Sequence, residues 1–352
     1  MWMLTNNTPF SAERIWNRDK NGAEVWLVAV KGTFSIRQDG SVELAEEQEE
    51  VHIAPGFRGD PAISGLLYDT DLPHKKNNTD VLIDGHAYAP DGRPATKTDV
   101  GLNVGSLRKK LRVTGDRIWE ESLFGLTMST PQPFVKMPLI YERAFGGTDR
   151  QSDDPKHHGW ERRNPVGCGF ATKPEHLTGT PVPNIEYPSE RIKSWKQRPC
   201  PAGFGPIAGH WSPRVELAGT YDENWEKNRL PLLPADFNES YYQCAPPDQQ
   251  ALGYLKGGEI VELLNMTPTG RIRFRLPKIT IGFTTHFDNG TKEEHRGVLH
   301  TVIVKPDFSK VIMVWHTNLE CHHNVLKLLA TTIRIKQRIL RSQGAGRNNV
   351  WS

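Results

Sequence analysis

The stretch Val25-Trp26-Leu27-Val28-Ala29-Val30-Lys31-Gly32-Thr33-Phe34-Ser35-Ile36, closed by Asp39-Gly40, sets the fold class. Its first half is apolar and rich in β-branched and aromatic side chains, which suit a pleated, buried surface. Lys31-Gly32 leads into the second half, and Asp39-Gly40 is a turn dipeptide that supplies the left-handed conformation a reversal needs. The reading is strand followed by tight turn.

The same grammar continues along residues 1–130. Val81-Leu82-Ile83 precedes the turn region Pro90-Asp91-Gly92, and Val100, Leu102 and Val104 alternate with small or polar residues, the period of a half-buried strand. Leu107 to Val113 is expected to form a hairpin with Arg117-Ile118-Trp119 across Thr114-Gly115-Asp116. The acidic stretch Glu43 to Glu50 reads as a solvated connection.

Composition narrows the classes. Among 352 residues there are 44 Lys and Arg against 41 Asp and Glu, a net charge of +3, which gives no global footprint for nucleic acid. The 26 prolines and 31 glycines argue against a mostly helical chain. The longest apolar run, Val25 to Val30, falls far short of the ~20 residues that span a bilayer. Residues 1–7 lack the basic start and apolar stretch of a secretory signal. The four cysteines, with no CxxC pair, read as reduced thiols in a cytoplasmic protein.

Residues 131–250 hold 17 of the 26 prolines, so regular ladders cannot run through them. Yet this zone carries Trp160, Trp195, Trp211, Trp225, Tyr221, Tyr241 and Tyr242. Large rings contribute most when buried, so the segment reads as ordered and pinned by aromatics. In residues 251–320, Ile260–Leu263, Ile272–Leu276, Ile279–Phe283, His300–Val304 and Val311–Trp315 suggest an antiparallel meander. From residue 321 to 352, Val325, Leu326, Leu329, Ile333 and Leu340 fall on one side of a helix and Lys327, Arg334, Arg338 and Arg341 on the other, with Lys336 intruding. That pattern predicts a basic amphipathic helix, packed on the sheet or docked on a membrane, nucleic acid or acidic partner. The fold class is thus mainly β: antiparallel, sandwich- or barrel-like modules joined by a Pro/Gly-rich segment and ending in a helix. The zones 1–130, 131–250, 251–320 and 321–352 form separate modules or one continuous domain.

Catalytic templates find no match. The chain has no GxxxxGK[ST], HExxH or GxSxG. Gly167-Cys168-Gly169 and Gly203-Phe204-Gly205 do not extend to GxGxxG. Cys321-His322-His323 and His157-His158 offer zinc-type ligands without finger-like spacing, so a metal there would need tertiary contacts. Cys168 between glycines reads as a reactive thiol or, more simply, as a small residue at a crowded backbone crossing. No cofactor and no catalytic residue is assigned.

Several unusual blocks fall in a fixed order: Tyr141-Glu142-Arg143-Ala144-Phe145-Gly146-Gly147, Arg163-Asn164-Pro165-Val166-Gly167-Cys168-Gly169-Phe170, Pro201-Ala202-Gly203-Phe204-Gly205-Pro206-Ile207 with Trp211 and Arg214, Ala218-Gly219-Thr220-Tyr221-Asp222 with Trp225, Pro231 to Phe237, and Ala245-Pro246-Pro247-Asp248-Gln249. In this order and spacing they closely resemble the DUF2169 family, over nearly the whole chain from Val25 to Trp315. The resemblance implies a non-enzymatic, cytoplasmic adaptor or chaperone associated with bacterial type VI secretion. Such a protein binds a toxic effector, often one with a PAAR domain, and helps load it on the VgrG spike. No nucleic acid and no membrane insertion is implied. Where the resemblance leads us to expect an acidic residue before Thr301 and an arginine after Trp315, this chain has His300 and His316, a histidine pair in place of an ion pair.

Aromatic and arginine side chains carry much of an interface's energy. The candidate partner-binding residues are therefore Arg143, Phe145, Arg163, Asn164, Trp211, Arg214, Tyr221 and Trp225, each of which could equally be a core pin. The competing functional readings are a structural component of the spike complex and a hydrolase acting on cell-wall or carbohydrate material.

Overall fold

A computed structural model describes residues 1–123, 125–321 and 324–338. Three larger sheets and several two-stranded ribbons make up the chain. The central six-stranded sheet runs Ser11–Arg18, Glu24–Ile36, Lys310–Glu320, Val298–Lys305 and Asp80–Ile83, with Val42–Leu44 also paired to Glu24–Ile36. Only Asp80–Ile83 lies parallel to its neighbour in that path. The five-stranded sheet orders Ile185–Glu186, Leu107–Thr114, Lys97–Val104, Ile260–Leu264 and Arg271–Arg275, antiparallel throughout. The four-stranded sheet orders Met3–Asn6, Leu328–Arg338, Ile279–Phe287 and Lys292–Arg296.

Glu24–Ile36 is one unbroken strand, with Lys31 and Gly32 inside it rather than at a turn. A side chain at Gly32 would press on the rings of Phe10 and Phe34, so a glycine keeps the strand straight there. Period-two geometry sends Trp26, Val28, Val30 and Phe34 to one face and Val25, Leu27 and Ala29 to the other. Both faces are buried, which explains the continuous apolar run. The first face joins one core with Val100, Leu102, Val104 and Leu111 of the five-stranded sheet and Ile281, Phe283 and Ile333 of the four-stranded sheet. The zones drawn from sequence thus interleave around a shared interior.

Several expectations are corrected. Leu107–Thr114 folds back on Lys97–Val104 through Gly105-Ser106, with Val104 opposite Leu107, and not onto Arg117–Trp119. Gly105 takes φ +57°, as a two-residue hairpin turn requires. Gly115 instead lies against Gln132, where a Cβ would collide with a backbone carbonyl, so its glycine serves close approach and not reversal. The strands of 251–320 pair with their sequence neighbours but divide among the three larger sheets, so they do not form one meander. No barrel closes.

A further correction concerns the C-terminal helix. Leu328–Arg338 is a strand, antiparallel to Ile279–Phe287 and parallel to Met3–Asn6. The β-branched residues Thr331, Thr332, Ile333 and Ile335 suit an extended chain, and Thr331 and Ile333 point inward. Lys336, which interrupted the helical stripe, lies on the exposed side and reaches Glu294 at 3.1 Å. Residues 339–352, where the expected helix continued, lie outside the described residues. The acidic stretch is not wholly solvated either: Val42–Leu44 is a strand, the Gln48 amide exchanges hydrogen bonds with the Thr33 backbone, and Glu49 pairs with Lys305 at 2.8 Å.

Trp26 ties two sheets together, since its indole N–H donates to Thr331 Oγ1 at 3.0 Å while its ring fills the core. Trp26→Ala is expected to cost about 3–5 kcal/mol, through lost burial and the cavity left behind. Urea unfolding measures this, and a loss below about 1 kcal/mol would contradict the packing described.

Candidate functional site

The second face of the central sheet has no sheet to cover it. Irregular chain from residues 48–53, 69–80 and 243–250 lies over it, bringing Val51, Leu72, Cys244 and Ala245 against Leu27, Ile312 and Val314. Such chain carries polar backbone and charged side chains inward, and these must find partners there. Lys76 is fully enclosed, and its ammonium donates to Asp80 Oδ2 at 2.7 Å, to Thr301 Oγ1 at 3.0 Å and to Cys244 Sγ at 3.5 Å. All three protons are thereby used. Asp80 also accepts the Cys244 backbone N–H at 2.9 Å and the Gln243 amide at 2.7 Å. Burial opposes the Lys76 charge, but attraction to Asp80 outweighs it and holds the pKa above the ordinary lysine value. A second pair, Lys31 to Asp71 at 3.0 Å, is buried on the same sheet, with His52 stacked on Tyr68 beside it.

The histidine pair lies within this layer. The rings of His300 and His316 meet edge to face at 5.2 Å, and a register shift between Leu299 and Thr301 makes room for His300. His300 bonds Thr301 Oγ1 at 2.7 Å and the Asp71 carbonyl at 3.2 Å. Burial, the nearby Lys76 ammonium and His316 push its pKa well below the usual imidazole value. Burial likewise lowers His316, to about 3. The two are neutral, so no repulsion arises at neutral pH.

The eight residues proposed from sequence divide between interior and surface. Phe145 is buried in a small cluster with Trp119 and Val182. Asn164 is fully buried and donates to the carbonyls of Tyr141 and Phe145 at 2.8 and 3.0 Å. Arg143 bonds Asp116 and Asn184, and Arg163 forms a two-pronged pair with Glu161. Trp211 is buried edge-on to Tyr141 at 5.7 Å. Arg214, also buried, pairs with Asp69 at 2.8 Å, donates to the carbonyls of Ile207 and Tyr241, and lies over the Tyr241 ring at 5.1 Å. Only Tyr221 is well exposed, at 54%. It packs edge-on to the half-buried Trp225 at 4.7 Å, and the Trp225 indole N–H donates to Leu232 at 2.8 Å.

Tyr221 and Trp225 form one ring pair, and a second ring group lies further along the same segment. Phe237, Tyr241 and Tyr242 contact one another at 5.4 to 5.9 Å, and Tyr242 continues to His74 at 6.3 Å. The short helix Glu223–Asn228 carries Trp225, and Asp222 caps it by accepting the Trp225 backbone N–H. Val215 and Leu230 add exposed apolar surface on the same 212–242 segment.

The remaining sequence candidates resolve as follows. Cys168 is paired backbone to backbone with Phe145, and burial pushes its thiol up to about 12, which disfavours the reactive thiolate. It borders a cavity of about 140 Å³ that also touches the Asp149–His176 pair. His158 bonds the Ser152 carbonyl and His157 approaches Asp154. Cys321 is buried, and His322 and His323 lie outside the described residues. Among the described residues no group of three His, Cys, Asp or Glu is placed to hold a metal ion, and no helix is long and apolar enough to cross a membrane.

The Lys76–Asp80 cluster escaped the sequence reading. Lys75-Lys76-Asn77-Asn78-Thr79-Asp80 has the composition of a solvated loop, and nothing local marks one lysine of two as buried.

A family model described as an uncharacterized protein conserved in bacteria (DUF2169) matches residues 21–316. No curated protein and no solved structure matched the chain.

Two outcomes follow from the polar layer. Asp80→Asn leaves the Lys76 charge uncompensated and is expected to destabilise by about 3–5 kcal/mol. Lys76→Met in the same background should recover much of that, and a double-mutant cycle with no coupling would contradict the pairing. Folded His300, His316 and His295 bind protons less readily than the unfolded chain, whose histidines titrate near ~6.5; burial holds His295 at about 4. The unfolded state therefore gains protons first as pH falls. Stability is whole above about pH 6.5 and declines below it, by roughly 2 kcal/mol per histidine at about pH 5. Urea midpoints across that range should drop, and His316→Gln should flatten the slope; an unchanged midpoint would refute the neutral assignment.

Proposed function

We propose that this chain, which belongs to the DUF2169 family, is a cytoplasmic, non-enzymatic adaptor or chaperone. It binds a type VI secretion effector and promotes its stability and loading onto the VgrG/PAAR spike. The observation that carries this reading is the Tyr221–Trp225 ring pair at the surface, with the Trp225 indole fixed to the Leu232 carbonyl. Rings fixed before binding lose little rotamer freedom when they meet a partner, so more of their burial appears as affinity. Tyr and Trp at a stiff, exposed apex are the residue types that dominate interface energetics.

The buried members of the original set support the same reading indirectly. Asn164, Trp211 and Arg214 fix the 141–214 chain onto the core and so hold the platform, while Tyr221, Trp225, Val215 and Leu230 meet the effector. An effector with exposed apolar surface is kept soluble while that surface is covered.

Co-expression with a type VI secretion effector and a VgrG spike protein tests this. The effector is expected to co-purify in a stable complex and to become less soluble without the adaptor. Tyr221→Ala with Leu230→Ser should weaken effector binding about tenfold or more, with thermal stability unchanged, since both side chains are exposed. Full binding by that double variant would remove the ring pair from the interface. Recovery of the protein in secreted spikes, or turnover of a cell-wall substrate by the purified protein alone, would overturn the adaptor reading itself.

A further inference from the structure

The outer face of the five-stranded sheet is strongly charged. Alternation along Leu107–Thr114 buries Leu107, Leu111 and Val113 and turns Arg108, Lys110 and Arg112 outward. Arg271–Arg275 turns out Arg271, Arg273 and Arg275, all exposed. Lys97 adds a further cation, and Asp99 and Glu262 are the partly exposed carboxylates among these outward positions. Glu186, in register with Arg112, is buried beneath Arg117. Seven cations against two carboxylates share one face, in a chain whose overall net charge is +3, so the rest of the chain is net acidic.

Register arranges these charges as two walls. One row runs Arg108, Asn103, Glu262, Arg273, and the next runs Lys110, Gly101, Leu264, Arg271. The floor between the walls holds Gly101, Asn103, Glu262, which is paired to Arg271 and Arg273, and Leu264, which is 42% exposed. At the ordinary spacing between strands, the walls stand ~14 Å apart. Asp99 is engaged by Lys110 and Arg112, and Glu262 by Arg271 and Arg273 at 3.3 and 3.1 Å. Two carboxylates thus serve four cations, while Arg108 and Arg275 bond only backbone carbonyls.

We propose that this trough docks an acidic protein segment, laid extended along the strands with an apolar side chain on Leu264. Alternate side chains of an extended segment repeat at ~6.8 Å, which matches the spacing of Arg271, Arg273 and Arg275 along their strand. Arginine forks favour carboxylates in two-pronged geometry. The charge is not confined to the edge strand Arg271–Arg275: the opposite wall belongs to Leu107–Thr114, which pairs with Ile185–Glu186 at Arg112 and Val113. Addition of a partner strand at that edge is obstructed, because the turn at Gly40 abuts the Arg273 carbonyl. Among the described residues the face offers no exposed ring for base stacking, on which single-stranded nucleic acid binding relies, so the chemistry favours a protein segment. The proposal is independent of the Tyr221–Trp225 ring pair and of the effector reading.

Fluorescence anisotropy on the full-length protein tests it, with a labelled peptide of about twelve alternating Glu and Val residues as probe. Binding is expected at low salt and should weaken steeply as salt rises. Arg271→Glu with Arg273→Glu, and separately Lys110→Glu, should each weaken it at least tenfold, while Lys227→Glu on the short helix leaves it unchanged. Arg271→Gln with Arg273→Gln serves if charge reversal lowers the melting temperature, and Leu264→Ser should reduce affinity for the Glu/Val peptide more than for a Glu/Gly one. Equal binding by the wall variants and the unaltered protein would overturn the proposal. So would an oligothymidine probe that binds more tightly than the peptide and is lost in the same variants.

Discussion

The structure depends on burying both faces of the strand Glu24–Ile36. One face is covered by two other sheets and can be wholly apolar. The other is covered by irregular chain, which cannot satisfy its own backbone by ladders and brings charge with it. The Lys76–Asp80 and Lys31–Asp71 pairs are the consequence: each ammonium deep in that layer meets a carboxylate and further acceptors. Exchanging such a pair for apolar residues is often neutral, whereas removing one partner is costly, so the layer acts chiefly as a constraint on register. It holds residues 69–80 and 243–250 to the sheet in one arrangement.

The same constraint explains the recurrent motif blocks. Tyr141 packs on Gly203, where a side chain would strike its ring, and on Trp211. Asn164 ties the carbonyls of Tyr141 and Phe145, and Gln249 donates to Val81 and Phe204 while accepting from Lys109. Lys109 is buried, and burial pulls its pKa to about 8 against the attraction of Asp248. The blocks therefore recognise one another before they recognise a partner. A proline-rich segment fixed in this way presents its outermost rings with little freedom left to lose.

Much of the architecture could be read locally. The apolar run at Val25–Val30, the alternation at Val100–Val104 and the turn at Asp39-Gly40 state strand and reversal in their own composition. The ordered character of the middle zone follows from aromatics too costly to leave in water. The Leu107–Val113 partner was misread because Gly105-Ser106 and Gly115 look alike as glycines, while only one sits at a reversal. The terminal strand was misread because apolar residues spaced three and four apart also fit a strand with a bulge. Of the candidate site, Tyr221 and Trp225 were legible as candidate contacts in a stiffened segment, but their separation from the buried Trp211 and Phe145 was not.

By itself the sequence determined that this chain is mainly β, that its proline-rich middle is ordered with little regular strand, and that its motif blocks are those of the DUF2169 family. Those properties arise from short-range periodicity and side-chain type. Tertiary structure alone decided which lysine is buried, which histidines are neutral and which arginines line a common trough. Burial and charge pairing are set by residues far apart in the chain, as Lys76 with Thr301 and Lys109 with Asp248 show, and no local pattern encodes such contacts.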